Sequence, residues 1–341
     1  MNKTDKKLEV LIAYNVIIDN QVVEDPDFIS EAAVRDEAED VYEAIEKNGY
    51  LPRYFPIKNF WADFEKLLKQ KPDVIFNLCE GYREDAIHEM HIAGLWELMG
   101  IPYTGNSPLT LGLAQNKVLT KKLLESKKIP TPMYQVFAKS PKNFYIDFPV
   151  IAKPAREDAS LGISTDAIIY DYDQLLDKVN QLLEEYHQPV LVEKYIAGRE
   201  FNISILGNSP VKVLPVSEIN FNDLDPDEPR ITSYEAKWIP NHPMYQKTPA
   251  VCPAMVDGEL QRRLQDIAMQ VFLLLNGRDY GRVDVRVDDS EKIYVLEYNP
   301  NPDISARAGY ARALRAAGIE YHKFVYHLIE QAIHRNCYDQ F

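Results

Sequence analysis

Arg282-Val283-Asp284-Val285-Arg286-Val287, the turn Asp288-Asp289-Ser290-Glu291, and Lys292-Ile293-Tyr294-Val295-Leu296-Glu297-Tyr298-Asn299 together read as an antiparallel hairpin. Strict alternation in the first arm puts Arg282, Asp284 and Arg286 on one face and the valines on the other. Glu297 and Asn299, two apart, share a face of the returning arm, and an antiparallel return brings them near Arg282 and Asp284. Two carboxylates and an amide oxygen make an all-oxygen set, which suits Mg²⁺ completed by water and substrate phosphates. An arginine–carboxylate network on a half-exposed sheet face is the competing reading.

Upstream, strands alternate with amphipathic segments. Leu8 to Tyr14 and Asp73 to Leu78 read as strands. Ser30 to Asn48 reads as a helix stopped by Gly49, and Glu84 to Met99 as one stopped by Gly100. This order indicates a parallel, helix-covered sheet. Neither GxGxxG nor a Walker A loop is present, so a nucleotide has to be held in another way. Ser107-Pro108 marks a helix start. Val150 to Ala152, Val190 to Val192 and Phe201 to Leu206 then read as strands, with a helix near Asp173 to Tyr186, as in a small α+β unit. The acidic, Pro-rich stretch Asn222 to Pro229 reads as an exposed loop. A helix at about Asp257 to Leu275 precedes the hairpin, and helical segments run to about His334.

Composition narrows the function class. With 341 residues, 46% of them hydrophobic, the chain is expected to form two or three subdomains. A net charge of −14 opposes binding to nucleic acid or to an anionic membrane. No apolar run reaches the length of a membrane span, and no signal-peptide cleavage pattern follows the first strand. Cys79, Cys252 and Cys337 lie far apart, as reduced thiols of a cytoplasmic protein would.

Further groups carry chemistry by position. Lys153 ends an apolar strand and can aim a compact charge at a phosphate, although a strand-end lysine also snorkels to water. Lys117 has lysine neighbours on an expected surface. Gly162, in Ala159 to Ser164, hints at a loop closing N–H groups over phosphates. Glu193-Lys194-Tyr195-Ile196-Ala197-Gly198-Arg199-Glu200 is a strand end leading into a glycine turn. It can offer backbone groups to an adenine, and Glu200 can accept from ribose hydroxyls. His88 and His91 share a helix face, without further ligands for zinc.

Taken in order, these segments resemble the ATP-grasp superfamily and, within it, the D-alanine–D-alanine ligases. The resemblance runs from about Asp73 to the chain end. It rests on Leu98 to Gly105, Asn116-Lys117, Val150 to Pro154, Glu193 to Glu200, Tyr234-Glu235-Ala236-Lys237, Gly281 to Asp284 and Leu296 to Asn299. It implies three α/β subdomains, at about 1–105, 106–197 and 198–341, with ATP between the central and C-terminal ones. It also implies roles. Asp284, Glu297 and Asn299 would hold two Mg²⁺, with Mn²⁺ as an alternative ion. Lys117 and Lys153 would contact phosphates, and Lys237 the transferred one. The Glu193 and Ile196 backbones, with Lys194 nearby, would hold adenine, and Glu200 the ribose. Arg282 would stabilise a tetrahedral oxyanion. The implied reaction joins a small-molecule carboxylate to an amine through an acyl phosphate; family members are commonly homodimers.

The substrate segments depart from the family. Its Gly-Gly-x-Ser-x-Glu is Tyr14-Asn15-Val16-Ile17-Ile18-Asp19 here, and its His-Gly-x-x-Gly-Glu-Asp-Gly is Cys79 to Ala86. Its Ser-Arg-Glu-Gly-Ser-Ser lid is Ala155 to Ser160, the tyrosine after the active lysine is Trp238, and Thr-Ser-Pro-Gly-Met is Pro300 to Ile304. The serine that holds the second carboxylate falls at Ala308, beside Arg307. A site without the groups that bond a polar ligand discriminates poorly in its favour, so substrates other than two D-alanines are expected. Two alternatives stay open: phosphorylation of a non-carboxylate oxygen before amine condensation, and ATP binding without turnover.

Overall fold

Strand β1 (Glu9–Asn15) is buried from both sides because its alternate residues enter different cores. Val10 and Ile12 pack with Val41 and Ile45 of helix α1 (Pro26–Lys47), while Leu11 and Ala13 pack with Phe64 and Trp96. The computed structural model describes residues 7–16, 26–83, 85–157, 167–225, 228–233, 237, 239 and 242–335. Val16 is thus described, but Ile17 to Asp19, Glu84, residues 158–166 with the end of the lid and the Gly162 loop, residues 226–227 of the acidic stretch, Tyr234 to Ala236, Trp238 and Cys337 lie outside the described residues.

β2 (Leu51–Ile57) and β3 (Val74–Asn77) flank β1 in parallel, and helices α2 (Phe60–Lys69) and α3 (His88–Met99) cover one face. The α3 helix begins later than the apolar spacing suggests. Tyr82 and Asp85 pair through their backbones, Arg83 sits at φ +53°, and the Asp85 carboxylate accepts from Ile87 N–H. This turn uses the groups that would otherwise start the helix.

The short helices α4 (Pro108–Gln115) and α5 (Lys117–Ser126) begin at the side-chain caps Ser107 and Asn116. The second sheet is antiparallel. Its strands β4 (Tyr134–Phe137), β5 (Val150–Pro154), β6 (Ile168–Ile169) and β7 (Val190–Lys194) lie in the order β4-β7-β5-β6. Val150, Ala152, Val190 and Val192 pack on α6 (Tyr172–Tyr186), which leaves Ile151, Lys153 and Glu193 on the opposite face.

The third sheet holds β8 (Arg199–Leu206), β9 (Lys212–Val213), β10 (Ser217–Ile219), β11 (Ala250–Val251), β12 (Tyr280–Val287) and β13 (Ile293–Asn299). The order is β11-β10-β8-β12-β13, with β9 beside β8. A short helix, α7 (Pro243–Lys247), precedes β11. Helix α8 (Gly258–Leu274) presents Leu264, Ile267, Val271 and Phe272 to Phe201, Ile203, Val283, Val285 and Val295. Burial of each such side chain is worth roughly 1.5–3 kcal/mol, which locks the sheet's facing. The last helices, α9 (Gly309–Ala316) and α10 (Tyr321–His334), return to the first sheet, where Tyr310, Phe324 and Leu328 join the core of Val10 and Phe76. Among the described residues no helix is long and apolar enough to cross a membrane.

The turn from β7 into β8 depends on Gly198, at φ +126°. A Cβ there would sit 2.1 Å from the Val287 carbonyl oxygen, so any side chain must push β12 away. Gly198→Ala is therefore expected to lower unfolding free energy by at least about 2 kcal/mol in urea titration, through both the left-handed backbone and the clash. A loss below about 0.5 kcal/mol would contradict the close approach.

Candidate functional site

The polar face of the third sheet is built in rows across three strands. Arg282 lies between Ser204 and Asn299, and Asp284 between Asn202 and Glu297; Arg286 pairs with Glu200. One irregularity makes these rows possible. Ile293 and Val295 point into the α8 core with Val285 and Val287. Uninterrupted alternation would send Glu297 and Asn299 into that core as well. The register shifts between Asp284 and Val285, so that Leu296 is an extra residue in β13. The bulge turns Glu297 and Asn299 onto the polar face and Tyr298 into the core.

Opposite this face lies the polar side of the second sheet, and the two enclose a cleft of about 760 Å³. Lys153, Glu193, Lys194, Ile196, Glu200, Lys237, Arg282, Asp284 and Glu297 all line it. Lys117 sits just behind, with Nζ 3.7 Å from Glu297 Oε2. The sequence suggested an exposed Lys117, but it is buried, because Lys117, Thr120, Lys121 and Leu124 form the buried stripe of α5. A lysine at the first helical position also opposes the helix dipole. That arrangement suits a helix start placed beside an anion.

Charge is concentrated around Glu297. Desolvation in the cleft would raise its carboxyl, but Lys117, Lys153, Lys237 and Arg282 outweigh this and hold it at about 2. Lys237 is pushed down by desolvation and by Arg282, against the pull of Glu297, Asp284 and Glu80. Lys117, Lys153, Lys237 and Arg282 together give this end of the cleft a cationic side that suits anions such as phosphates.

Asp284 is gripped by Arg282 in a bidentate fork, Nε to Oδ1 at 2.7 Å and Nη2 to Oδ2 at 2.8 Å, and Asn202 Nδ2 adds a bond to Oδ1 at 2.8 Å. Asn299 Oδ1 accepts from Asn301 N–H at 3.0 Å. A carboxylate or amide oxygen has two lone pairs, so Asp284 Oδ2 and Asn299 Oδ1 each keep one, beside an ionised Glu297. The donor set fits a hard, oxygen-preferring cation such as Mg²⁺.

Other residues are already engaged. The Glu193 carboxylate is clamped by Lys121 and, at 2.7 Å, by Lys153, so its charge is balanced within the protein. Lys194 Nζ donates to the Asp147 and Phe148 carbonyls. Glu200 accepts from Thr232 and from Arg286. Sequence reading gave no role to Lys121, Asn202 or Thr232; for Lys121 the signal was available, since it lies four residues after Lys117 on the α5 stripe. His88 and His91 bring their Nδ1 atoms to 3.1 Å on an exposed surface, and no cluster of three metal-ligating His, Cys, Asp or Glu side chains occurs among the described residues.

Beyond Asn299, the chain is tied to the first sheet's helix. Glu37 accepts from Ile304 N–H at 2.8 Å and Asp40 from Ala306 N–H at 2.7 Å. Desolvation, with Asp303 and Glu80 nearby, pushes the Glu37 carboxyl well up. Asp303, Ser305, Arg307 and Ala308 border the cleft, and Ala308 caps α9 without a side-chain bond.

Comparison with known proteins adds four findings. The family model described as D-ala D-ala ligase C-terminus matches residues 111–330. A D-alanine–D-alanine ligase of Carboxydothermus hydrogenoformans is 33% identical over 298 residues, 84% of this chain and 88% of the relative. An uncharacterized protein of Sinorhizobium fredii is 34% identical over 269 residues, 79% and 77% of the two chains. Among solved structures, D-alanine–D-alanine ligase from Bacillus anthracis complexed with ATP superposes with a TM-score of 0.73 at 21% identity, covering 96% of this chain and 97% of the other.

The cation cluster has a consequence for acid stability. Glu297 is held below its ordinary 4.5, so its contribution is complete above about pH 4.5 and is lost as pH falls toward about 2. Urea titration at pH 6 and pH 3.5 is expected to show a smaller acid-induced loss for Glu297→Gln than for the unaltered protein. An equal loss in both would contradict the charge assignment.

Proposed function

As a member of the D-alanine–D-alanine ligase family of ATP-grasp proteins, this chain, we propose, is an ATP-dependent carboxylate–amine ligase. The observation that carries the proposal is the cleft between two sheets where Lys153, Lys237, Arg282, Asp284 and Glu297 converge. Boundaries near 105/106 and 197/198 are proposed for its three subdomains, with α9 and α10 reaching back to the first.

In this reading the adenine lies against the backbone of Glu193 and Ile196, near Lys194, and Glu200 accepts from the ribose hydroxyls. Lys117 and Lys153 neutralise phosphate oxygens, and Lys237 follows the one being transferred. Asp284, Glu297 and Asn299 would hold Mg²⁺, which supplies charge neutralisation between phosphates when bound. A substrate carboxylate oxygen attacks the γ-phosphorus; the bond to the bridging oxygen breaks, giving ADP and an acyl phosphate. The amine then attacks the acyl carbon, and the carbonyl electrons collect on an oxygen beside Arg282. Collapse of this intermediate expels inorganic phosphate and, with loss of the amine proton, leaves an amide. Positioning and charge stabilisation carry such a reaction, and the rigid sheet supplies both.

The substrate pair is proposed to differ from two D-alanines. Supporting this are Ala308, whose methyl offers no hydrogen bond, and the segments Tyr14 to Val16 and Pro300 to Ile304, which depart from the family pattern. ADP release measured against a panel of carboxylates and amines is expected to identify a pair clearly favoured over D-alanine alone. Asp284→Asn should cut that turnover at least about 100-fold. Robust turnover with D-alanine alone would remove the substrate claim, and full activity of Asp284→Asn would remove the metal assignment.

A further inference from the structure

The cleft contains a buried charge pair of which the reading above uses only one member, Glu200. Arg286 donates from Nε and Nη2 to Glu200 Oε2 at 3.1 and 2.7 Å, and from Nη1 to the Ile196 carbonyl at 2.8 Å. Nη2 also bonds the Arg230 carbonyl, and the guanidinium lies over the rings of Tyr195, 5.3 Å away, and Phe221, 5.6 Å away. Arg286 and Glu200 are 4% and 8% exposed, and both border the cleft. Thr232 bonds the other Glu200 oxygen at 2.8 Å.

A pair this deeply buried is a weak device for stability, since desolvation consumes most of its Coulomb energy. Its geometry instead fixes direction. The planar fork reaches three segments at once, β8, the turn before it and the loop at residue 230, and a lysine could not reproduce that reach. Glu200 Oε1, which among the described residues accepts only from Thr232, keeps one lone pair for a further donor, while the carboxylate's charge is balanced by Arg286 and so repels a polyphosphate less.

Resting on the nucleotide reading of the cleft, we propose that Arg286 is a positioning residue for nucleotide-sugar recognition. It holds the Glu200 carboxylate so that Oε1 faces a ribose hydroxyl and accepts from it, and acts on the nucleotide only through Glu200.

The test compares calorimetric Kd values for Mg–ATP and Mg–2′,3′-dideoxy-ATP. The unaltered protein is expected to favour ATP by about tenfold. Arg286→Met should weaken ATP by about tenfold while leaving the dideoxy nucleotide within about twofold, so that the preference collapses. Arg286→Lys, which keeps the charge and loses the fork, should show the same pattern at several-fold, and carries the comparison if the methionine variant does not fold. Equal weakening of both nucleotides, or none of either, would overturn the proposal. Equal affinity of the unaltered protein for the two nucleotides also overturns it, while leaving the cleft reading standing. Failure of the unaltered protein to bind either nucleotide overturns both.

Discussion

The single extra residue at Leu296 is the constraint on which the site depends. Six apolar side chains of the hairpin, Val283, Val285, Val287, Ile293, Val295 and Tyr298, are committed to α8. Because side chains alternate strictly along a strand, no continuous β13 could bury Ile293 and Val295 and still turn Glu297 outward. The bulge resolves the conflict: the core keeps its apolar set, and two oxygen-bearing side chains join Asp284 on the opposite face. Bulges commonly re-aim side chains beside functional sites, and here the re-aimed pair completes the proposed metal set.

From that face the electrostatics follow. Asp284 is neutralised locally by the Arg282 fork and Glu200 by Arg286. Glu297 is left to face several cations, drawn from three places: α5, β5 and the segment of Lys237. Glu193 does the same work across the cleft, holding Lys121 and Lys153 together in a buried cluster. The second and third sheets thus carry clustered charge of both signs toward one cleft, the setting proposed for a polyphosphate and a hard cation.

Much of this was legible in the sequence. The alternation of Arg282 to Val287 gave the polar face, and the Ser107-Pro108 cap gave the start of α4. Sequence reading brought Glu297 to Asp284 by treating the return as a plain hairpin. The pairing is as expected, but it needs a bulge, and an extra residue leaves no compositional trace. The depth of Lys117 and Lys121 was obscured by their lysine neighbours, although the i, i+3, i+4 spacing carried it. Arg286 stood on the expected face; its partners lie on β8 and near residue 230, and strand order cannot be read from one hairpin. The late start of α3 reflects a local turn around Asp85 that outweighs helical spacing.

The most direct test of carboxylate activation follows an oxygen atom. The acid found by substrate screening is labelled with ¹⁸O in its carboxylate, and the inorganic phosphate released is examined by mass spectrometry. Transfer of one ¹⁸O into phosphate per turnover is the expected result, because the oxygen that attacks phosphorus leaves with it. Phosphate without the label would contradict an acyl phosphate, and with it the proposed use of Arg282 at a carbonyl oxyanion.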